Sequence, residues 1–166
     1  MDRFIAMEGF LDKFRKNKMY IYDSSKAAEF STMKDLVSVA AQSDKDFFIA
    51  TYKGGVKINI ATKDINPSKA EKYIENVLRI APQVHKNLCQ KLKESYPDQS
   101  INPSSIKLMA IHYAAFSNGS EIAELSFDDG NQFHGHIITT EIGPNEMRPN
   151  GKYTGTADDL TFGMQG

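Results

Sequence analysis

Cysteine occurs once in this chain, at Cys89. A lone thiol forms no intramolecular disulfide and cannot furnish a Cys-rich zinc site. It fits a reducing compartment. The chain also lacks an apolar run of the roughly 20 residues that a membrane-spanning helix needs. Met1–Lys18 mixes charged and hydrophobic residues too evenly for a signal peptide. A cytoplasmic protein without membrane association is therefore expected. Neither sign of charge is in surplus: the formal net charge is −1, so nothing global points to direct nucleic-acid binding. Basic residues gather only locally, at Lys13, Arg15, Lys16 and Lys18 and again at Lys86, Lys91 and Lys93. The second group reads as the solvated face of a helix. There is no internal repeat or low-complexity segment. No local motif marks a nucleophile of the Ser-His-Asp or Cys-His kind, and no cofactor is expected.

What is present suits one soluble domain. The 166 residues are 40% hydrophobic and 25% charged, enough to bury a single core. The most informative stretch is Ile106–Glu141, which reads as three strands and two turns. Asn118-Gly119 is a strong hairpin signal, because a two-residue turn needs positive φ at both positions. Asp128-Asp129-Gly130 marks a second turn, and Gly143-Pro144 ends the third strand. A two-residue turn sets Tyr113 opposite Glu124. A five-residue turn over 128–132 sets Glu124 opposite His136 and Ser126 opposite His134. One face then carries Leu108, Ala110, Ala114, Phe116, Ala123, Leu125, Phe127, Phe133 and Ile137, with His112, Glu121 and Thr139 among them. The other carries a row Tyr113–Glu124–His136, flanked by His134 and Ser126.

Elsewhere, Arg3–Lys16 has the apolar spacing of an amphipathic helix, and Met19–Tyr22 suits a short strand. Thr32 is placed to cap a helix using Met33, Leu36, Val37 and Ala40, although Leu36-Val37 and Val39 also suit a strand. Asp46–Tyr52 and Val56–Thr62 form a hairpin about Gly54-Gly55, with Phe47, Ile49, Ile58 and Ile60 on one face. Asn66-Pro67 starts a long helix as N-cap and first-turn proline. Its stripe comprises Ala70, Tyr73, Ile74, Val77, Leu78, Ala81, Val84, Leu88 and Leu92. Pro82 lies inside the stripe and predicts a kink or a break. His85 and Cys89, four apart, suit a structural role better than a metal pair or an activated thiol, since no third partner is near. Residues 144–166 read as an irregular surface tail.

The expected architecture is a single α+β domain over 1–166. An N-terminal hairpin and a C-terminal three-stranded meander form an antiparallel sheet, and one long, Pro-kinked helix packs on one face. Residues 1–45 are an N-terminal helical segment. The unpaired sheet edges suit docking of another chain.

Two site chemistries compete on the polar face. A Glu124–His136 pair beside Tyr113 suits general acid–base work, or His134, His136 and Glu124 supply metal ligands. Alternatively the row is a half-solvated face of cross-strand polar pairs. The run His134-x-His136 with Glu141 resembles the first metal motif of cupins. It departs from that family in lacking a downstream His, in the facing of Glu141, and in the long helix.

A second resemblance covers more of the chain. Glu124-Leu125-Ser126-Phe127-Asp128-Asp129-Gly130, leading into Phe133-His134-Gly135-His136, resembles a group of small bacterial α+β domains of unknown function. Some of these resemble immunity proteins of polymorphic toxin systems. The resemblance implies a non-catalytic cytoplasmic protein that binds and neutralises a cognate toxin, such as a nuclease. Asp128, Asp129, Tyr113, Glu124, His134 and His136 are then the expected partner contacts, the acidic pair favouring association with a basic cleft. Two other readings stand beside it: a metal-dependent enzyme using His134 and His136, and a structural or regulatory homodimer joined through a sheet edge.

Overall fold

Thr32 caps the first helix in the expected way. In the computed structural model, which describes residues 28–165, its hydroxyl accepts the Asp35 N–H at 3.2 Å. Helix α1 spans Met33–Ala41 and buries Met33, Leu36, Val37 and Ala40, so the helical alternative for this segment holds. It follows strand β1 (Ala28–Phe30). The helix expected over Arg3–Lys16 and the strand over Met19–Tyr22 lie outside the described residues.

Asn66 caps helix α2, Pro67–Ser95, by accepting the Lys69 N–H at 3.2 Å. Of that stripe, Tyr73 and Leu78 are half-buried and the other members are buried, as a 3.6-residue period requires. The helix runs as one 29-residue element across Pro82, so no break occurs there. Pro82 is on the exposed side, and its ring removes one backbone hydrogen bond without entering the core.

The remaining strands are β2 (Phe47–Tyr52), β3 (Lys57–Ala61), β4 (Lys107–Ala115), β5 (Glu121–Asp128), β6 (Ile137–Ile142) and β7 (Phe162–Gln165). They form a seven-stranded sheet in sequential order, β1 to β7. The class is α+β, but the sheet is mixed rather than antiparallel. β1 pairs parallel with β2, and β3 parallel with β4. The physical reason is the connections: α1 and α2 are crossovers, and a crossover returns the chain in the same direction. Both helices share one core with one sheet face, through Leu36, Ile58, Ile60, Ile74, Leu88, Leu92, Leu125 and Phe127. Each such side chain contributes about 1.5–3 kcal/mol by leaving water.

Both hairpins differ from expectation by one residue, for the same reason. Tyr52 N–H donates to Val56 O at 2.8 Å, and Phe116 N–H to Ser120 O at 2.9 Å. Each loop therefore holds three residues, with Gly55 (φ 92°) or Gly119 (φ 88°) closing it in a conformation that suits glycine. A one-residue change inverts the relative facing of paired strands. Ile58 and Ile60 consequently share the helix side with Phe48 and Ala50, not with Phe47 and Ile49. Tyr113 pairs with Ala123, and Glu124 pairs with His112. Ile111, Tyr113 and Ala115 take the core face, where Ala110, Ala114 and Phe116 were expected.

The segment after β6 is held down along its length. Arg79 donates to Gly151 O, Asn87 Nδ2 to Gly155 O at 3.2 Å, and Lys91 Nζ to Asp158 O at 3.2 Å. Residues 143–160 thus form a strap along α2, with Met147, Ala157 and Leu160 buried beneath it. The strap then delivers β7 to the sheet, where an irregular tail was expected.

Candidate functional site

The expected Tyr113–Glu124–His136 row does not form. β6 begins at Ile137 opposite Asp128, so the β5–β6 connection is eight residues long, not five. His134 and His136 lie in that loop, and His134 has a left-handed backbone (φ 63°). Asp129 organises the loop. Its Oδ1 accepts the Asn131 N–H at 2.8 Å, and its Oδ2 accepts those of Phe133 and His136, each at 2.9 Å. The residue is buried, so the expected acidic surface pair reduces to Asp128. Asp128 is exposed and accepts the Gly130 N–H at 2.8 Å. The Asp-Asp-Gly…His-Gly-His run is therefore a loop architecture first.

Gly130 is the tightest point of this loop. A Cβ there would lie 2.6 Å from both Ser105 Cβ and Ser105 O, at φ +62°. Gly130→Ala should therefore cost about 2–3 kcal/mol, combining left-handed strain with overpacking. Chemical denaturation would read this as a lowered midpoint at unchanged slope. A midpoint equal to that of the parent protein would contradict the packing of the loop on Ser105.

Glu124, His134 and His136 are not brought together as ligands. The two histidines sit in the loop, while Glu124 is fully buried inside β5, with His112 and Glu141 as its register partners. Among the described residues, no group of three His, Cys, Asp or Glu side chains could hold a metal ion. What the register does assemble is a buried polar row. Asn59 Nδ2 lies 3.4 Å from His112 Nδ1, and His112 Nε2 lies 3.2 Å from Ser126 Oγ. Asn59, His112, Glu124 and Ser126 are all at most 1% exposed.

His85 is structural. Its Nε2 donates toward Pro103 O (3.0 Å) and Ile106 O (2.8 Å), tying the short 3₁₀ turn Pro103–Ser105 to α2. With its proton directed at carbonyls, Nε2 cannot serve as a base for Cys89 Sγ at 3.7 Å. Burial pushes the Cys89 thiol up, with Lys93 opposing, so the thiol is not activated.

Tyr113 instead enters a cluster on the helix side. Its hydroxyl donates to Glu121 Oε2 at 2.5 Å, and its ring lies 5.6 Å from that of Tyr73. Tyr73 donates to Ile142 O at 3.0 Å. Burial raises both phenols far above their ordinary range, and the charge of Glu121 adds to this. Burial also raises the Glu121 carboxyl, against the Tyr113 hydrogen bond and the charge of Lys69. Glu121 and Tyr73 were legible only as strand and stripe positions, because their meeting depends on how α2 crosses the sheet.

Among the described residues, the β7 end of the sheet is unpaired. β7 pairs with β6 from Ile137↔Gln165 to Thr140↔Phe162, and its outer edge faces no strand among the described residues. Thr161 to Gln165 carry neither charge nor proline, the usual means of blocking an edge. A hollow of about 330 Å³ runs beside them, lined by Thr139, Thr140, Glu141 and residues 161–165. At the opposite edge, β1 covers three of the described residues. No protein-family model, no curated protein and no solved structure matches this chain.

Proposed function

We propose that this chain is a binding protein that takes a strand of another protein along β7, and that the partner is a bacterial toxin which it neutralises in the cytoplasm. The observation that carries the binding reading is the uncharged, regularly paired edge of Phe162–Gln165 with its flanking hollow. Main-chain N–H and C=O groups along such an edge supply affinity, and adjacent pockets select side chains. Toxin neutralisation is supported by the resemblance of the segment around Asp128–His136 to immunity-like domains. Asp128 remains available to a basic partner. Asp129 is excluded from direct contact by its burial.

The test uses the full chain, tagged and expressed at native level in its host, beside the edge variant Thr161→Lys/Gln165→Lys. Lysines on an edge strand oppose strand addition. A stoichiometric partner should co-purify with the parent chain and be lost from the variant. That partner should arrest growth when expressed alone, and only the parent chain should relieve the arrest. Equal capture by both forms would remove β7 from the contact, and a harmless partner would remove the toxin. A dimeric mass that the variant returns to monomer would assign the edge to a second copy.

A further inference from the structure

A second hollow shares no lining residue with the one beside β7. The first turns of α2, the β4–β5 turn and residues 144–149 enclose a cleft of about 500 Å³. This is within the range of small-molecule sites. Lys69 and Lys72, one helical turn apart on α2, line it together with Arg148 from the segment after β6. Tyr73 and Glu121 also line it. An adjoining hollow of about 350 Å³ shares Lys69, Gly119 and Glu121.

The walls are held before any ligand arrives. Lys69 Nζ donates to Gly119 O at 2.9 Å, bridging helix and turn. Tyr73 is fixed by its bond to Ile142 O. Arg148 sits in a tight turn closed by its own N–H to Lys152 O (2.9 Å) and by Gly151 N–H to its carbonyl (2.8 Å). Lys72 and Arg148 are exposed. Three cations and one carboxylate line the cleft, with Glu146 close enough for its charge to act on Tyr73 and Asp64 in the adjoining hollow. The cations outnumber the carboxylate within the cleft itself, and Lys72 and Arg148, both at its exposed rim, are placed to attract an anion. Asn76, Asn118 and Ser120 add neutral hydrogen-bonding groups around it.

We propose that this cleft binds a small, hydroxyl-bearing phosphate compound, its phosphate held between Lys72 and Arg148 and its body over Tyr73. Guanidinium and ammonium groups brought to one cleft by two separate segments suit a phosphate, which presents acceptor oxygens in several directions. Asn76, Asn118 and Ser120 meet the hydroxyl groups. Glu121 disfavours a second anionic group at the inner end, so the ligand carries its charge at one end.

Isothermal titration calorimetry of the full chain with AMP, at low ionic strength, tests this. AMP should bind, and added salt should weaken it. Lys72→Glu/Arg148→Glu should reduce the affinity by about tenfold or more through loss of both charge-assisted contacts. Both positions are exposed, so an unchanged denaturation midpoint should accompany that loss. Lys86→Glu/Lys107→Glu makes the same change of net charge away from the cleft and should leave binding intact. The proposal is overturned if AMP does not bind, if the cleft variant binds as well as the parent, or if the control variant loses as much. Tighter binding of citrate than of AMP would also overturn it, since citrate brings charge without phosphate.

Discussion

Replacing Asp129 with alanine should lower the unfolding free energy by about 3–5 kcal/mol, because three backbone donors lose one charged acceptor. The N–H groups of Asn131, Phe133 and His136 all converge on this carboxylate, and Phe133 is itself buried. Water cannot replace a buried acceptor without opening the loop, so the loss exceeds that of an exposed turn aspartate. Asp129→Asn keeps one carbonyl acceptor and should cost less, about 1–2 kcal/mol. Equilibrium denaturation gives the magnitudes. Amide hydrogen exchange gives the location: protection should fall first at Phe133 and His136. A loss below about 1 kcal/mol for Asp129→Ala, or unchanged exchange at those amides, would contradict the assigned role. The same result bears on function. A partner lost by Asp129→Ala would be lost through the loop, whereas a partner lost by Asp128→Lys would be lost through an exposed charge.

The second large effect is expected in alkali. Tyr73 and Tyr113 are both held protonated by burial, and the nearby Glu121 charge raises them further. A phenol whose folded pKa lies above its unfolded value supports the fold fully below the unfolded value of about 10. That support is lost as pH rises from there through the folded value, because only the unfolded chain releases the proton. Each such group removes about 1.4 kcal/mol per pH unit, so the pair removes about 2.7 kcal/mol per unit above pH 10. Urea denaturation across this range should show that slope in the parent chain. It should be nearly abolished in Tyr73→Phe/Tyr113→Phe, apart from the contribution of other tyrosines. That variant also loses the hydrogen bonds to Ile142 O and Glu121 Oε2, at about 1 kcal/mol each near neutrality. Equal alkaline slopes in the two proteins would show that these phenols ionise in the folded state.

The two effects sit on different parts of the molecule and should add, since they share no partner. Asp129 governs the loop beyond β5, whereas Tyr73 and Tyr113 join α2 to the opposite end of β4 and to β6. The proposed phosphate cleft lies beside the tyrosine pair. Tyr73→Phe therefore also tests whether the ring alone, without its anchor on Ile142 O, can support a ligand.

Much of the architecture was determined by the sequence on its own. Thr32 and Asn66 are side chains that satisfy orphan helix N–H groups locally, so both helix starts were readable. The stripe from Ala70 to Leu92 specified α2, alternation specified β2 and β3, and the turn signals around Asn118-Gly119, Asp128-Asp129-Gly130 and Gly143-Pro144 marked out β4 to β6. The structural role of His85 followed from the lack of a third partner nearby, and its carbonyl contacts agree. Register was not determined in this way. A glycine after Ser117-Asn118 serves a two-residue or a three-residue loop equally well, and the choice moves Tyr113 from one sheet face to the other. Parallel pairing of β3 with β4 was decided by where the crossover α2 set the chain down. The strap over 143–160 escaped detection because α2 grips main-chain carbonyls of Gly151, Gly155 and Asp158, which leave no side-chain signature. The cleft escaped for a related reason: Lys72, Glu121 and Arg148 come from three distant segments, and only tertiary packing makes them neighbours.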